Sequence, residues 1–227
     1  MTACGRVAGH VAGQRAARRR PSFPAWLLLL LGSFAAGCQS MNGAPWHDLF
    51  DGRTLQGFAV TDYGGQGEVA VREGRLHLGI GSPLTGVTWT GPLPHGDYEL
   101  ELVARRVLGV DFFAALTFPV AGDCLTLVFG GWGGSVGGLS CLDGADASRN
   151  ATRRVRAFPN GTEARVSLRV VGEHVAVHVD GEPWIDADLR GVRRTLRPEV
   201  ELSRPLGLAS YASEGAVSVL RWRPLGR

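Results

Sequence analysis

Lysine is absent from this 227-residue chain, and all 24 basic residues are arginine. That absence excludes a Walker A loop, which needs a lysine to reach the β- and γ-phosphates of a nucleotide. Cysteine is scarce, with four in the chain: Cys4, Cys38, Cys124 and Cys141. No Gly-x-Ser-x-Gly elbow and no Cys–His nucleophile pair is present, so two common hydrolase nucleophiles are missing. Acids nearly balance bases, 21 against 24. Five of the arginines lie in residues 1–37, which hold no acid, so the formal charge of +3 becomes −2 beyond that segment. A chain with that balance lacks the basic stripe that nucleic acid requires.

What the chain does have begins with those five arginines. Arg15, Arg18, Arg19 and Arg20 precede a short apolar run, Ala25–Leu31, and then a stretch of mostly small residues. This order reads as a bacterial signal peptide rather than a spanning helix, because the apolar run is too short and no charge stops it. Ala35-Ala36-Gly37-Cys38 resembles a lipobox, in which cleavage leaves a lipidated cysteine at the new N-terminus. The expectation is a signal over 1–37, a lipidated tether over 38–45 and one domain over 46–227. The lipid on Cys38 would be the only membrane contact, holding an exported protein at the cell envelope, on the outer membrane or facing the periplasm.

The domain reads as all-β. Tyr98, Leu100, Leu102 and Ala104 alternate with Asp97, Glu99 and Glu101, and Ala164, Val166, Leu168 and Val170 alternate with Arg165, Ser167 and Arg169. Val175, Val177 and Val179 do the same before the Asp180-Gly181 turn. This period of two predicts strands with one face buried. Further strands are predicted over 68–72, 75–80, 86–90, 206–211 and 216–223. Two runs, Asp111–Val120 and Cys124–Gly130, are apolar on nearly both faces, as in strands covered on both sides at the centre of a sheet. About a dozen strands with regular turns predict a two-sheet antiparallel jelly-roll sandwich with no long helix.

Trp46-His47-Asp48-Leu49-Phe50-Asp51-Gly52-Arg53-Thr54-Leu55-Gln56-Gly57-Phe58 resembles the opening of the 3-keto-disaccharide hydrolase domain family, which runs Trp, then Leu-Phe-Asp/Asn-Gly-Lys-x-Leu-x-Gly-Trp. Glu73-Gly74-Arg75-Leu76, Tyr98-Glu99-Leu100 and the closing strand 216–223 are similar to later family strands. The resemblance implies a concanavalin A-like jelly roll, exported by glycan-degrading bacteria and active on glycosides oxidised at C3. The middle departs from the family pattern. Where members carry Asn-Ser-Gly, an Arg and then an acidic strand, this chain has Gly109–Ala114 followed by the acid-free run Cys124–Gly130. A carbohydrate-active domain is thus one reading, and a non-catalytic glycan-binding module on the same scaffold is the other.

Oxidation at C3 acidifies the C2 proton, so cleavage of a 3-keto-glycoside needs a base near C2 and a cation or donor facing the enolate oxygen. Asp143 and Asp146 are candidate bases, and Arg149 is the candidate partner for the enolate. The same two acids are candidate Ca²⁺ ligands, although no cofactor is required. The competing reading is that they and Asn150 simply make Asx turns between strands. Trp132, between glycine pairs, is a candidate sugar-stacking ring, with Asn150 as a hydroxyl contact. Asp111 and Phe113 are predicted to share a ligand-facing side of their strand, with Phe112 in the core, and Trp89 to stand at the core rim near the ligand.

A turn at Gly131–Gly134 would pair residues whose numbers sum to 265, setting Cys124 opposite Cys141 within disulfide reach. The alternative is two buried free cysteines, which a bulge at the glycine-rich turn would bring about by shifting the register.

Overall fold

The computed structural model describes residues 44–226. The predicted signal, Cys38 and the tether as far as Gly43 lie outside the described residues. Fifteen strands occur in them: β1 His47–Asp48, β2 Phe58–Val60, β3 Val69–Arg72, β4 Arg75–Leu78, β5 Leu84–Trp89, β6 Tyr98–Gly109, β7 Ala115–Val120, β8 Asp123–Gly131, β9 Val136–Ser140, β10 Arg154–Val155, β11 Glu163–Val171, β12 His174–Val179, β13 Glu182–Asp188, β14 Gly207–Tyr211 and β15 Ser213–Pro224. The only described helix is one 3-10 segment, Pro198–Ser203.

The strands form two antiparallel sheets. One runs β13-β12-β11-β6-β15-β4-β3, with β1 on β15, and the other runs β10-β9-β8-β7-β14-β5-β2. Alternation decides what each sheet buries. Tyr98, Leu100, Leu102 and Ala104 of β6 and Val166, Leu168 and Val170 of β11 meet Leu116 and Phe118 of β7 and Leu125, Leu127 and Phe129 of β8 in one core. The expected jelly-roll sandwich is what forms.

Two local expectations are corrected. Residues 110–114 are not part of a strand, so the predicted sharing of a face by Asp111 and Phe113 fails. Phe113 is fully buried, edge-on to Phe129 with ring centroids 5.1 Å apart, while Phe112 stands on the other side. The cause is Arg106, whose Nε donates to the Asp111 carbonyl (3.0 Å), and Ser213, whose Oγ accepts from Asp111 N (2.9 Å). Together they hold the chain out of strand geometry.

The Cys124–Cys141 bridge is the second. β8 and β9 pair Leu127 with Leu139 and Thr126 with Ser140, one residue away from the register that would oppose the cysteines. The pairing shifts between Val128 and Gly131, where Gly130 takes φ 72°. A side chain at Gly130 would meet the Arg106 guanidinium at 2.6 Å, so only glycine fits there. The slip turns alternate residues to opposite faces. Cys124 ends opposite Pro119, while Cys141 leaves β9 and donates its backbone N–H to the Thr195 carbonyl (2.6 Å). Both are buried free thiols.

Candidate functional site

The alternation that sends Leu125, Leu127 and Phe129 inward turns Cys124, Thr126 and Val128 to the outer face of the second sheet, yet these three are buried too. Two connections cover them. Leu196 and Val200, before and within the 3-10 helix, pack on Cys124, Leu84 and Ala209 together with Tyr63. Ala147, in the connection after β9, packs on Val128 and Ala115.

Each cover is pinned by polar groups. Tyr63 Oη lies 2.6 Å from Ser203 Oγ, and Thr88 Oγ1 donates to the Leu202 carbonyl (3.0 Å). Asn150 Nδ2 donates to the carbonyls of Leu139 (2.7 Å) and Ala145 (3.1 Å), and its Oδ1 accepts from Thr152 N and Oγ1 (2.9 and 2.6 Å). Asp146, only 5% exposed, ties the two covers together: Oδ1 accepts from Ser148 N and Oγ, and Oδ2 from Arg149 (3.3 Å) and Arg197 (3.0 Å). Burial pushes the Asp146 carboxyl up, but the bonds from Ser148 and Arg149 outweigh it and leave the group below its ordinary value.

Between the covers a recess of about 210 Å³ stays open. Its floor is Ala115, Thr126, Val128 and Ser140, and one wall is Arg197, Glu199 and Val200. Asp111, Phe112, Trp132 and Tyr211 complete the lining. Trp132 is 39% exposed and Tyr211 36%. The Phe112 and Tyr211 rings lie 5.5 Å apart at 41°. Trp132 sits at φ 48° in the glycine-rich turn, and its backbone N–H donates to Asp111 Oδ1 (3.2 Å), which also accepts from Phe112 N (2.8 Å). Asp111 Oδ2 has no hydrogen bond among the described residues, so it is free to accept one from a ligand.

Arg197 donates to Glu199 through Nη2 (2.7 Å) and Nε (3.3 Å). The guanidinium holds the Glu199 carboxyl below the usual carboxylate range, and Glu199 in turn raises Arg197. Glu199 is thus ionised at neutral pH and can only accept hydrogen bonds. Neither it nor Asp146 has the raised pKa of a general acid for an oxocarbenium route. A second hollow adjoins, lined by Asp146, Arg149 and Thr195, and shares Arg197 and Glu199 with the recess.

The sequence candidates divide accordingly. Asp111 and Trp132 line the recess, and Arg149 opens onto the hollow beside it. Asp146 and Asn150 make Asx-type bonds two residues on, to Ser148 and Thr152, and have no free side-chain oxygen for a base or for Ca²⁺. Asp143 lines neither hollow, and its Oδ1 accepts from Arg193 N (2.9 Å). The described residues contain no group of three His, Cys, Asp or Glu placed to hold a metal. Trp89 packs against Phe58 (5.0 Å) and donates Nε1–H to the Pro92 carbonyl (2.9 Å), away from the recess. Phe112, Tyr211, Arg197 and Glu199 were not foreseen. Tyr211 was within reach, since it continues the outward alternation of β14, but Arg197 and Glu199 enter the site only through the path of the covering connection.

The sequence matches no family model and no curated protein. Solved structures do share its fold. An endo-acting O-glycanase structure from work on the human gut microbiota has TM-score 0.54 and 14% identity, covering 82% of this chain and 100% of that one. The Crh5 transglycosylase has TM-score 0.54 and 12% identity over 81% and 85%. The Emp47p carbohydrate recognition domain has TM-score 0.51 and 13% identity over 81% and 95%. At these identities the likeness shows a concanavalin A-like jelly roll and nothing finer, and it spans enzymes and a recognition domain alike.

Proposed function

We propose that this protein is a carbohydrate-binding jelly-roll domain of the cell envelope, held by a lipid on Cys38, and that its recess receives the sugar. One observation carries this reading: three aromatic rings, Phe112, Trp132 and Tyr211, surround an open hollow that also offers the free Asp111 Oδ2. Sugars stack their C–H faces on aromatic rings and present hydroxyls to fixed acceptors. The lipobox supports the anchor, and the glycan-handling neighbours are consistent with the ligand class. Calorimetric titration with gluco-, galacto-, manno- and xylo-configured glycosides tests the site. Trp132→Ala and Tyr211→Ala should each weaken binding at least tenfold with unchanged unfolding transitions; unaltered binding in both refutes it. Radiolabelled palmitate incorporated by wild type and absent from Cys38→Ser is the result expected for the anchor.

A second reading, cleavage of 3-keto-glycosides, is favoured by the Arg197–Glu199 pair at the recess wall. An ionised carboxylate beside a guanidinium supplies the base and the enolate partner that C2 deprotonation requires. Incubation with a 3-keto-glucoside distinguishes the two: release of 3-keto-glucose that Glu199→Gln abolishes would make the protein an enzyme, and binding without release leaves it a recognition domain.

A further inference from the structure

We infer, on the reading of the recess as a sugar site, that the protein recognises a single sugar residue at the end of a glycan and does not thread a chain through a cleft. The outer face of the second sheet would be an open groove if it were bare, because the strands β9, β8, β7, β14 and β5 run side by side across it. It is not bare. Toward β5, Tyr63 lies over Gly86, where an added Cβ would meet its ring at 3.1 Å, and Val200 and Leu196 cover Leu84, Ala209 and Cys124. Toward β9, the Ala147 connection covers Val128. An extended polysaccharide crossing the sheet would have to displace both covers.

The bond that closes the roof is the Arg197–Asp146 ion pair, one partner on each cover. Asp146 is buried with both oxygens occupied, so its end of the pair is fixed by the fold, while the Arg197 side chain is 40% exposed. Arg197 and Glu199 line both the recess and the neighbouring hollow, so the two spaces adjoin at this pair. The recess alone, at about 210 Å³, is smaller than the roughly 300–1,000 Å³ of pockets that enclose drug-sized ligands. It accommodates one ring. The rest of a glycan would leave past the exposed edges of Trp132 and Tyr211, where the lining opens to solvent.

The test is a glycan array carrying gluco-, galacto-, manno- and xylo-series ladders from one to six units, followed by titration with the best series in solution. The expected result is binding to the single-residue glycoside, with affinity changing less than about threefold up the ladder and one protein bound per chain end whatever the length. Affinity that climbs tenfold or more between one and four units, or stoichiometry that follows total sugar mass, overturns the inference while leaving the sugar site standing. Absence of binding to every ladder overturns both. Asp146→Asn provides a second check. If the roof sets the length limit, loosening it should raise affinity for the four- to six-unit members relative to the single residue, whereas an unchanged ratio assigns the limit elsewhere.

Discussion

Arg106 should be the most sensitive polar position in the domain. It is 5% exposed and, among the described residues, has no carboxylate bonded to it. Its donors go to the carbonyls of Asp111 (3.0 Å), Phe158 (2.7 Å), Gly130 (3.0 Å) and Gly134 (3.2 Å), with Asn160 Oδ1 at 3.4 Å. The guanidinium also lies over the Phe113 ring, 5.1 Å from its centroid. Burial lowers its pKa, an effect that the nearby Asp111 partly offsets, but an arginine remains charged throughout the working pH range. Arg106→Met keeps the length of the stem and removes every donor. The carbonyls of Phe158 and Gly130, whose bonds to Arg106 are fully buried, would then be left unsatisfied at about 1–3 kcal/mol each. Release of the charge from its desolvated position returns part of that cost, while the remaining carbonyls add to it.

A loss of about 4 kcal/mol is expected for Arg106→Met, within the range for breaking a buried charged network. For a domain of this size that lowers the melting temperature by about 8–16 °C. Urea denaturation followed by circular dichroism and calorimetry measures both. Arg105→Met is the matched control. Arg105 neighbours Arg106 on the same strand but points to the opposite face, and its Nε already lacks a partner, so its loss should cost under about 1 kcal/mol. Equal destabilisation by the two substitutions, or an Arg106→Met loss below about 1 kcal/mol, would refute the account of Arg106 as the clamp on these loops.

Acid should destabilise the domain in a defined window. Asp146 and Glu199 both have folded pKa values below their unfolded references of 3.8 and 4.5, so the unfolded chain takes up the protons first on acidification. Their contribution is complete above about pH 5 and is lost as pH falls through the unfolded values toward the folded ones; Arg197→Gln should flatten the decline, and a stability that rises between pH 5 and pH 3 would contradict the assignment. The buried free thiols predict that alkylation of non-reduced, denatured protein adds a carbamidomethyl group at Cys124 and another at Cys141, with both slow to react in the native state. A native mass two hydrogen atoms lighter that resists alkylation would restore the bridge.

How much of this was readable in advance depends on the distance over which each feature is determined. The strands with one buried face are local facts: Leu100 and Val166 declare their inward positions through their own neighbours, and the sandwich follows from enough such segments needing a partner surface. The two strands that read as apolar on both faces were also legible as covered, and β7 and β8 are indeed buried on both sides. What covers them was not legible. Leu196, Arg197, Glu199 and Val200 occupy a segment with no period of two, and their placement depends on Tyr63, Ser203 and Asp146, the first far away in sequence. The failed register shows the same limit at short range. The turn at Gly131–Gly134 was located, but the added residue at Gly130 is dictated by the guanidinium of Arg106, which reaches that turn from another sheet. Arg106 thereby contributes both to the slip that keeps Cys141 from facing Cys124 and, with Ser213, to the path that buries Phe113. The site inherits this dependence. Trp132 and Asp111 could be named from a glycine-flanked ring and an acid beside an apolar run. By contrast, the chemistry of Asp146 and Asn150 allows both a ligand contact and an Asx turn, and only the partners supplied by the fold reveal that their oxygens are already used. A polar residue in a loop acquires its role from which of its lone pairs the fold leaves empty, and on that criterion Asp111 Oδ2 is the acceptor on which the proposed sugar site can draw.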